Sequence, residues 1–268
     1  MRNILLTVEY DGTNFHGWQR QPEARTVQGE LERVLSIVCR CPIQINGTSR
    51  TDAGVHALGQ RASFCGDFGI PAEKLPLAVN NILSGGMNAT GKIGDVRIIE
   101  AKEVDTDFHA RYEAKGKKYI YRILNKEETQ IFSRNYQYQV KKKLDFDAMQ
   151  KGAEYIVGTH DFKCFQAAGG EEKKTTVRTV YSLKLKKEAE EIILEIKGDG
   201  FLYNMVRIIT GTLVDVGLGK IKPEQVKEII ESKDRQNAGH TAPPQGLYLA
   251  EVYYDLAELR EATEVEYE

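Results

Sequence analysis

The first half of the chain combines the two periodicities that distinguish strands from helices. From Ile4 to Val8 alternate side chains form an apolar face, which predicts a strand over residues 2–10. Over 27–40 the apolar side chains recur every three or four residues, which predicts an amphipathic helix with Thr26 as its N-cap. The patterns that follow predict two strands, a helix and a last strand, in chain order at 42–49, 56–65, 72–83 and 93–103.

The second half of the chain repeats this order of strand, helix, strand, strand, helix, strand with insertions. Strands are predicted at 112–124, 175–187, 191–198 and 247–254, helices over 146–157 and from near Gly200, and extra elements at 134–140 and 223–232. This order is typical of an α+β fold in which helices cover one face of an antiparallel sheet. We therefore predict two ferredoxin-like (RRM-like) domains, 1–107 and 108–268. Their antiparallel sheets are expected to join into one platform, with the active-site cleft between them.

The composition excludes several classes of protein. No apolar run approaches the roughly 20 residues of a membrane span, and the amino end becomes charged too early for a signal peptide. The four cysteines include one close pair, Cys39 and Cys41, but no cysteine and histidine cluster has the spacing of a zinc site. We expect a soluble, cytoplasmic protein with unpaired thiols, no metal and no membrane partner.

The charge distribution is uneven along the chain. The net charge is −2, but residues 251–268 contain seven acidic residues and one basic residue. The preceding 250 residues hold 36 basic and 32 acidic residues, a net charge of +4. This balance is compatible with a local basic groove for a nucleic acid.

The stretch from Gly47 to Gln60 carries the most specific candidate for chemistry. It places Asp52 between an arginine and a glycine, on a turn between two predicted strands. Such turns often carry functional side chains, and glycines such as Gly54 let a substrate approach the main chain. Taken alone, an Asp-Ala-Gly turn is more typical of a polar hairpin whose Asp caps its own turn.

Four segments together resemble the TruA family of tRNA pseudouridine synthases, and they follow the family's order along nearly the whole chain before the acidic tail. The segments are Tyr10–Gln21, Gly47–Gln60, Phe108–Tyr112 with Lys117–Arg122, and Gly200–Ile209 with Ala242–Leu249. Two positions depart from the expected family pattern: Ser49 stands where glycine is also usual, and His240 stands where a proline is expected. Neither departure falls on an Asp, Tyr or Arg position, so the resemblance implies an active enzyme.

The resemblance implies an isomerase that converts uridine to pseudouridine in the anticodon stem-loop of tRNA, at positions 38–40. The glycosidic bond moves from a ring nitrogen to a ring carbon, and the family uses neither a cofactor nor a metal for this. By the same resemblance Asp52 is the catalytic residue. A carboxylate there acts on the sugar as nucleophile or base, or adds to the pyrimidine ring. The sequence leaves these routes open.

The resemblance also assigns three substrate-binding residues. Arg207 is the cation that pairs with Asp52 and favours its ionised form, and Tyr119 is the aromatic ring that stacks on a flipped uracil. Arg50 holds a phosphate or displaces the target base from its stack. Without the resemblance, Arg207 is more typical of a helix surface and Tyr119 of a core. We assign His56 to structure rather than to catalysis.

The expected partners are tRNA and, by resemblance, a second copy of the chain that helps to hold each tRNA. Basic side chains around Tyr119 and in the runs Lys141–Lys143 and Lys173–Lys174 suit phosphate contacts, although such runs usually form a solvated face. Two alternatives remain open. One is a pseudouridine synthase that acts on another RNA, and the other is a non-catalytic RNA-binding protein on the same fold. Against the second, the chain lacks the aromatic run typical of RNA-binding RRM sheets.

Overall fold

The computed structural model of the protein describes residues 1–85, 94–169 and 174–259. The chain divides into two compact units. The first is Met1–Ala114 with Leu249–Tyr254, and the second is Lys115–Tyr248 with the described residues that follow Tyr254. Both units contain helices and a sheet, which confirms the predicted α+β class. Three predicted features lie partly outside the described residues: the strand start at position 93, Lys173 of the basic run, and the acidic tail from residue 260.

The first unit follows the predicted order of elements closely. Its elements are β1 (Arg2–Tyr10), α1 (Val27–Cys39), β2 (Asn46–Gly47), β3 (His56–Gly66), α2 (Leu75–Leu83) and β4 (Val96–Val104). The strands form an antiparallel sheet in the order β4–β1–β3–β2. The pairing of β1 with β3 shifts register between Val8 and Tyr10. This irregularity lies at the end of β1 that leads into the first family segment.

Helix α1 forms for the reason that the sequence indicates. The Thr26 hydroxyl accepts a hydrogen bond from the Gly29 amide at 3.3 Å, which caps the first turn. Leu31, Val34 and Leu35 are completely buried. The helix is therefore stabilised by burial of one apolar face, and each such side chain contributes about 1.5–3 kcal/mol relative to an exposed one.

The predicted strand over 42–49 is wrong in extent, because only Asn46–Gly47 pairs with the sheet. Two backbone donors in this stretch bond to side chains of α1. The Ile43 amide donates to the Ser36 hydroxyl at 2.9 Å, and the Ile45 amide donates to the buried Glu32 carboxylate at 3.0 Å. The apolar alternation thus reflects burial of Ile43 and Ile45 against the helix layer, with the ladder bonds replaced by side-chain acceptors.

The second unit carries the longer strands and the insertions. Its elements are β5 (Gly116–Asn125), β6 (Tyr138–Val140), α3 (Phe146–Glu154), β7 (Gly158–Asp161), β8 (Val177–Glu188), β9 (Glu191–Gly198), α4 (Met205–Gly217) and α5 (Gln225–Ser232). The sheet order is β5–β9–β8–β7, antiparallel throughout, with β6 parallel to β5. The sequence did not predict β7, and it predicted β5 and β6 to start four residues too early. No helix within the described ranges is long and apolar enough to cross a membrane.

Strand β10 (Leu247–Tyr253) is divided between the units. Leu247 and Tyr248 belong to the second unit, and the remainder belongs to the first, where it lies beside β3. The approach to β3 is close, since a Cβ atom on Gly59 would lie 2.4 Å from the Ala250 carbonyl oxygen. The first unit therefore takes one of its strands from the far end of the chain.

Helix α4 begins five residues later than predicted, at Met205 instead of near Gly200. Asn204 precedes it in the left-handed conformation, with φ of 59°. A residue in that conformation cannot continue a right-handed helix, so residues 200–204 form an irregular turn. This turn carries Phe201 and Asn204 into the surroundings of two predicted site residues, as described below.

Candidate active site

The Asp52 turn joins β2 to β3 in the first unit. Asp52 is half-buried, and its backbone carbonyl accepts a hydrogen bond from the Val55 amide at 3.1 Å. Gly54 has a φ of +77°, a conformation that favours glycine. The turn that carries the proposed catalytic residue is thus closed by main-chain groups.

The loop after β1 packs directly against this turn, so the first two family segments form one structure. The Trp18 amide donates to the Thr51 carbonyl at 3.0 Å, and the Tyr10 hydroxyl lies 2.7 Å from the Thr51 hydroxyl. Trp18 is 1% exposed, and a Cβ on Gly47 would lie only 2.4 Å from its ring. The single tryptophan is therefore a buried support for the Asp52 turn.

Gly17 is a point of close approach in this contact. Its φ is +85°, and a Cβ there would lie 2.7 Å from the Thr51 carbonyl oxygen. We expect Gly17→Ala to destabilise the protein by roughly 2 kcal/mol or more, because it adds backbone strain to a clash with main-chain atoms. Gly69→Ala is the matched control, since nothing lies within 4 Å of a Cβ at Gly69.

Thermal or denaturant unfolding of both glycine variants measures the difference. Gly69→Ala should stay within about 0.5 kcal/mol of the unchanged protein. Equal stability of the two variants would show that the loop moves away from the Asp52 turn at little cost.

His56 is held as a structural residue. It is 2% exposed, and its Nδ1 accepts a hydrogen bond from the Gly12 amide at 3.1 Å. The same nitrogen lies 3.2 Å from a carboxylate oxygen of Asp11. These contacts join the start of the loop to the start of β3, in agreement with the role assigned from the sequence.

Arg50 is exposed, but the residues before it are tightly held. The completely buried Gln60 makes two hydrogen bonds to Ser49: its Oε1 accepts from the Ser49 amide at 3.2 Å and its Nε2 donates to the Ser49 carbonyl at 2.7 Å. The buried Gln60 amide thus pairs with the Ser49 main chain as a neighbouring strand would, and this pairing fixes the backbone directly before Arg50. The sequence contains Gln60 within the matched segment, but nothing in its pattern indicated this function.

The third family segment is attached to the same sheet. Ala110 is completely buried; its amide donates to the Ser63 hydroxyl at 3.1 Å, and its carbonyl accepts from the Thr48 hydroxyl at 3.0 Å. The Asn3 amide group donates to the carbonyl of Phe108 at 2.8 Å. Residues 108–112 are therefore part of the first unit, next to the strand that leads into the Asp52 turn.

Tyr119 lies on β5 of the second unit, opposite Ile196 of β9. It is 9% exposed, and its ring packs edge to face on Phe201 with 5.2 Å between the ring centroids. Tyr121 and Ile123 are buried at the next alternate positions of the strand, as the sequence pattern predicts. Phe201 is an aromatic neighbour that the sequence reasoning did not single out.

Arg207 lies in the first turn of α4 and is half-buried. Its Nε donates to the Ala242 carbonyl at 2.8 Å, and its Nη1 donates to the Asn204 side-chain carbonyl at 2.8 Å. Burial raises the pKa of Tyr121 well above its ordinary value, and the nearby Arg207 charge opposes the rise. The hydrogen bonds to Ala242 and Asn204 thus help to orient the guanidinium.

Several cations near Tyr119 are paired with carboxylates of β9. The Lys118 ammonium lies 3.2 Å from Glu195, and the Arg122 guanidinium lies 2.5 Å from Glu191. The hydrogen bond from Arg122 lowers the pKa of Glu191 below its ordinary value. By contrast, Lys141–Lys143 are all exposed. The run is therefore better placed for phosphate contacts than the cations on β5.

The structure distributes the four predicted site residues over two units. Arg50 and Asp52 lie on one turn of the first unit, and Tyr119 and Arg207 lie on β5 and α4 of the second. The pairing of Asp52 with Arg207 stays a prediction. In the described parts of the chain, no group of three or more histidine, cysteine or acidic side chains is arranged to hold a metal ion.

Comparison with known proteins gives extensive matches. A family model described as tRNA pseudouridine synthase matches residues 6–113 and 153–255. Curated proteins named tRNA pseudouridine synthase A from Acetivibrio thermocellus and from Thermoanaerobacter sp. (strain X514) are each 50% identical over 254 residues, which covers 95% of this chain and 100% of each relative. A chain in a crystal structure of a Cbf5–Nop10–Gar1 complex matches with 9% identity and a TM-score of 0.33, over 92% of this chain and 58% of that one.

Proposed function

The chain belongs to the tRNA pseudouridine synthase family, and from that premise we propose that it isomerises uridine to pseudouridine in tRNA. The observation that carries the proposal is the match of 50% identity over 95% of the chain to relatives of that name. Arg50, Asp52 and Arg207 lie inside the two ranges that the family model matches. Tyr119 lies in the gap between these ranges.

The reaction is an exchange of one bond for another within the same nucleotide. The bond between the ribose C1′ and the uracil N1 breaks, the base turns, and a bond forms between C1′ and C5. N1 gains a proton and C5 loses one, so the balance needs no oxidant, reductant or second substrate. The protein has to hold the detached base, stabilise charge at the sugar or ring, and move these protons.

We assign the central role to Asp52. Its carboxylate acts at C1′ as nucleophile or base, or adds to the uracil ring. The main-chain closure of its turn and the buried support from Trp18 suit this role, because a catalytic group gains from a fixed direction. The half-buried position leaves the carboxylate accessible to a nucleotide that leaves its helix.

The other three residues bind and orient the substrate. Tyr119, supported by the edge of Phe201, offers a ring face on which a flipped uracil stacks. Arg207 supplies the cation that favours an ionised Asp52, and Arg50 contacts a phosphate or displaces the base.

Finer features of the function come from the family resemblance and are part of the proposal. The target is the anticodon stem-loop at positions 38–40, the protein works in the cytoplasm, and it acts as a homodimer. The two units are ferredoxin-like domains whose site residues meet in one cleft. In the first unit, the strand order β4–β1–β3–β2 supports this domain type. The nearly fully exposed Phe132 and its neighbour Ile131 provide an apolar surface for a second copy.

Release of tritium from C5 tests the function directly, because the C5 hydrogen leaves only when the new bond forms. The purified protein is incubated with tRNA transcripts that carry 5-tritiated uridine, in buffer that contains EDTA and enough salt to keep the tRNA folded. We expect tritium release from intact tRNA, and little from a transcript with cytidine at positions 38–40. Release from another RNA but not from tRNA would support the first alternative, and no release from any RNA would overturn the proposed activity.

Phosphate contacts predict that tRNA affinity falls steeply with salt. For about five contacts, log Kd should rise with log salt at a slope of roughly 4. Replacing Lys141, Lys142 and Lys143 with glutamine should make the slope shallower, because these exposed cations are available to contact phosphates. Filter binding between about 50 and 300 mM salt measures both slopes. A flat response of the unchanged protein would argue against a basic groove.

A further inference from the structure

His240, one of the two departures from the family pattern, lies in a short irregular segment that several side chains hold. This segment, residues 238–243, crosses helix α4 in the second unit. The Gly239 amide donates to the Thr212 hydroxyl at 2.9 Å, and the Ala242 amide donates to the Arg207 carbonyl at 3.0 Å. The segment is thus attached to the helix at both of its ends.

One face of α4 makes these attachments. Arg207, Gly211 and Asp215 follow one another at intervals of four residues and therefore lie on the same side of the helix. A Cβ on Gly211 would lie 1.8 Å from the His240 carbonyl oxygen, so the segment rests on the helix backbone itself. Because the contacts are close-packed, a shift of the segment at Arg207, Gly211 or Asp215 must also displace it at the other two positions.

Asp215 holds the segment at the position nearest the C-terminal end of α4. It is 7% exposed; one carboxylate oxygen accepts from the Nδ1 of His240 at 3.0 Å and lies 3.3 Å from the His240 amide, and the other accepts from Lys220 at 2.8 Å. Burial raises the pKa of Asp215, but the hydrogen bonds from Lys220 and His240 outweigh it, so the pKa lies below its ordinary value. The carboxylate is therefore ionised at neutral pH.

Other groups complete the surroundings of His240 without replacing this anchor. The Tyr138 hydroxyl lies 3.1 Å from the Nε2 of His240, and the Arg235 guanidinium donates to the carbonyls of Ala238 and Gly239 at 3.3 and 3.0 Å. The ring thereby links Asp215 to β6.

We propose that Asp215, acting through His240, is a positioning residue for Arg207. By holding segment 238–243 on α4, it keeps the Ala242 carbonyl where that oxygen accepts from the Arg207 Nε and directs the guanidinium. The assignment rests on the proposed function, in which Arg207 serves the Asp52 carboxylate. It concerns the rate of the reaction, because Asp215 itself contacts neither tRNA nor the reacting atoms in this role.

The test compares Asp215→Asn with Asp161→Asn. Asp161 is a matched control in the same unit: it pairs with Lys233 at 3.1 Å, and its pKa is also lowered, mainly by the Thr176 hydrogen bond. We expect Asp215→Asn to lower the single-turnover rate about 10-fold while Kd for tRNA changes less than about twofold, because the effect is one of orientation. Asp161→Asn should leave both within about twofold.

Two further measurements separate positioning from a loss of folding. In an Arg207→Lys background, Asp215→Asn should lower the single-turnover rate by less than about a further twofold. The reason is that both changes act through the same guanidinium. Hydrogen exchange of peptides that cover 238–243 should increase in Asp215→Asn, and also in His240→Ala, which leaves the helix residue intact.

The outcomes that overturn the proposal are distinct from failure of the proposed function. A full 10-fold loss in the Arg207→Lys background, or an unchanged rate in Asp215→Asn despite faster exchange, would refute the positioning role. Unchanged exchange in both variants would also refute it. No tritium release by the unchanged protein would overturn the proposed function alone, because the exchange experiment still measures whether Asp215 holds the segment.

Discussion

Replacing Asp52 with asparagine is expected to abolish pseudouridine formation while tRNA still binds. The change keeps the shape of the side chain and removes its negative charge, and an amide is neither a useful nucleophile nor a base. The closure of the turn should survive, because the hydrogen bond from the Val55 amide to the Asp52 carbonyl joins main-chain atoms that the substitution leaves in place. Tritium release and filter binding, measured on the same preparation, report the two properties separately.

Asp67→Asn is the matched control for Asp52→Asn, since Asp67 is an exposed carboxylate of the same unit. It should retain full turnover. Substantial turnover by Asp52→Asn, checked against conversion of asparagine back to aspartate during storage, would remove Asp52 from the chemistry. Loss of binding together with turnover would instead point to a collapsed turn.

The second large effect is expected for Arg207→Ala. The variant removes the proposed partner of Asp52 together with two hydrogen bonds, to Ala242 and to Asn204. We expect the single-turnover rate to fall by on the order of 10² or more, with a smaller change in Kd for tRNA. Arg207→Lys should recover part of the rate, because lysine supplies the charge without the planar fork. Arg97→Ala, which removes an exposed arginine paired with Glu9, is the control.

The proposed pairing makes a further prediction for the pH profile of Arg207→Ala. Loss of a nearby cation raises the pKa of a carboxyl group, so the acid limb of the rate should move to higher pH. The rate would then be lost earlier as pH falls, and partly recovered at higher pH. An acid limb unchanged in Arg207→Ala would contradict the pairing and leave the catalytic assignment of Asp52 standing.

Local patterns were sufficient to predict the elements that depend on their own residues. The cap at Thr26 and the apolar face of α1 are examples, because both are properties of neighbouring positions. The extent of β2 depended on acceptors that α1 provides, Ser36 and Glu32, and no pattern within 42–49 contains that information. Likewise, the left-handed conformation of Asn204 delays α4 although the apolar spacing continues through it.

The candidate site shows the same division. Placement of Asp52 on a turn followed from its flanking strands, whereas Tyr119 and Arg207 became candidates only through the family resemblance. Neither the local sequence pattern nor the family resemblance predicted the contacts that support these residues. Gln60 replaces a strand partner for Ser49, and Phe201 supports Tyr119; each contact depends on how distant segments fold back.

The divided strand β10 has a consequence for synthesis on the ribosome. The first unit needs Leu249–Tyr254, where the Tyr254 hydroxyl lies 3.1 Å from that of Thr48 and its ring packs on Phe108. At translation rates of about 5–20 residues per second, these residues emerge on the order of 10 s after Ala114. The nascent first unit must therefore wait, with its β3 edge incomplete, until β10 has been made. The first unit therefore cannot complete its fold before the residues of the second unit have been made, and the segment that carries Asp52 receives its final support only after Lys115–Tyr248 has been synthesised.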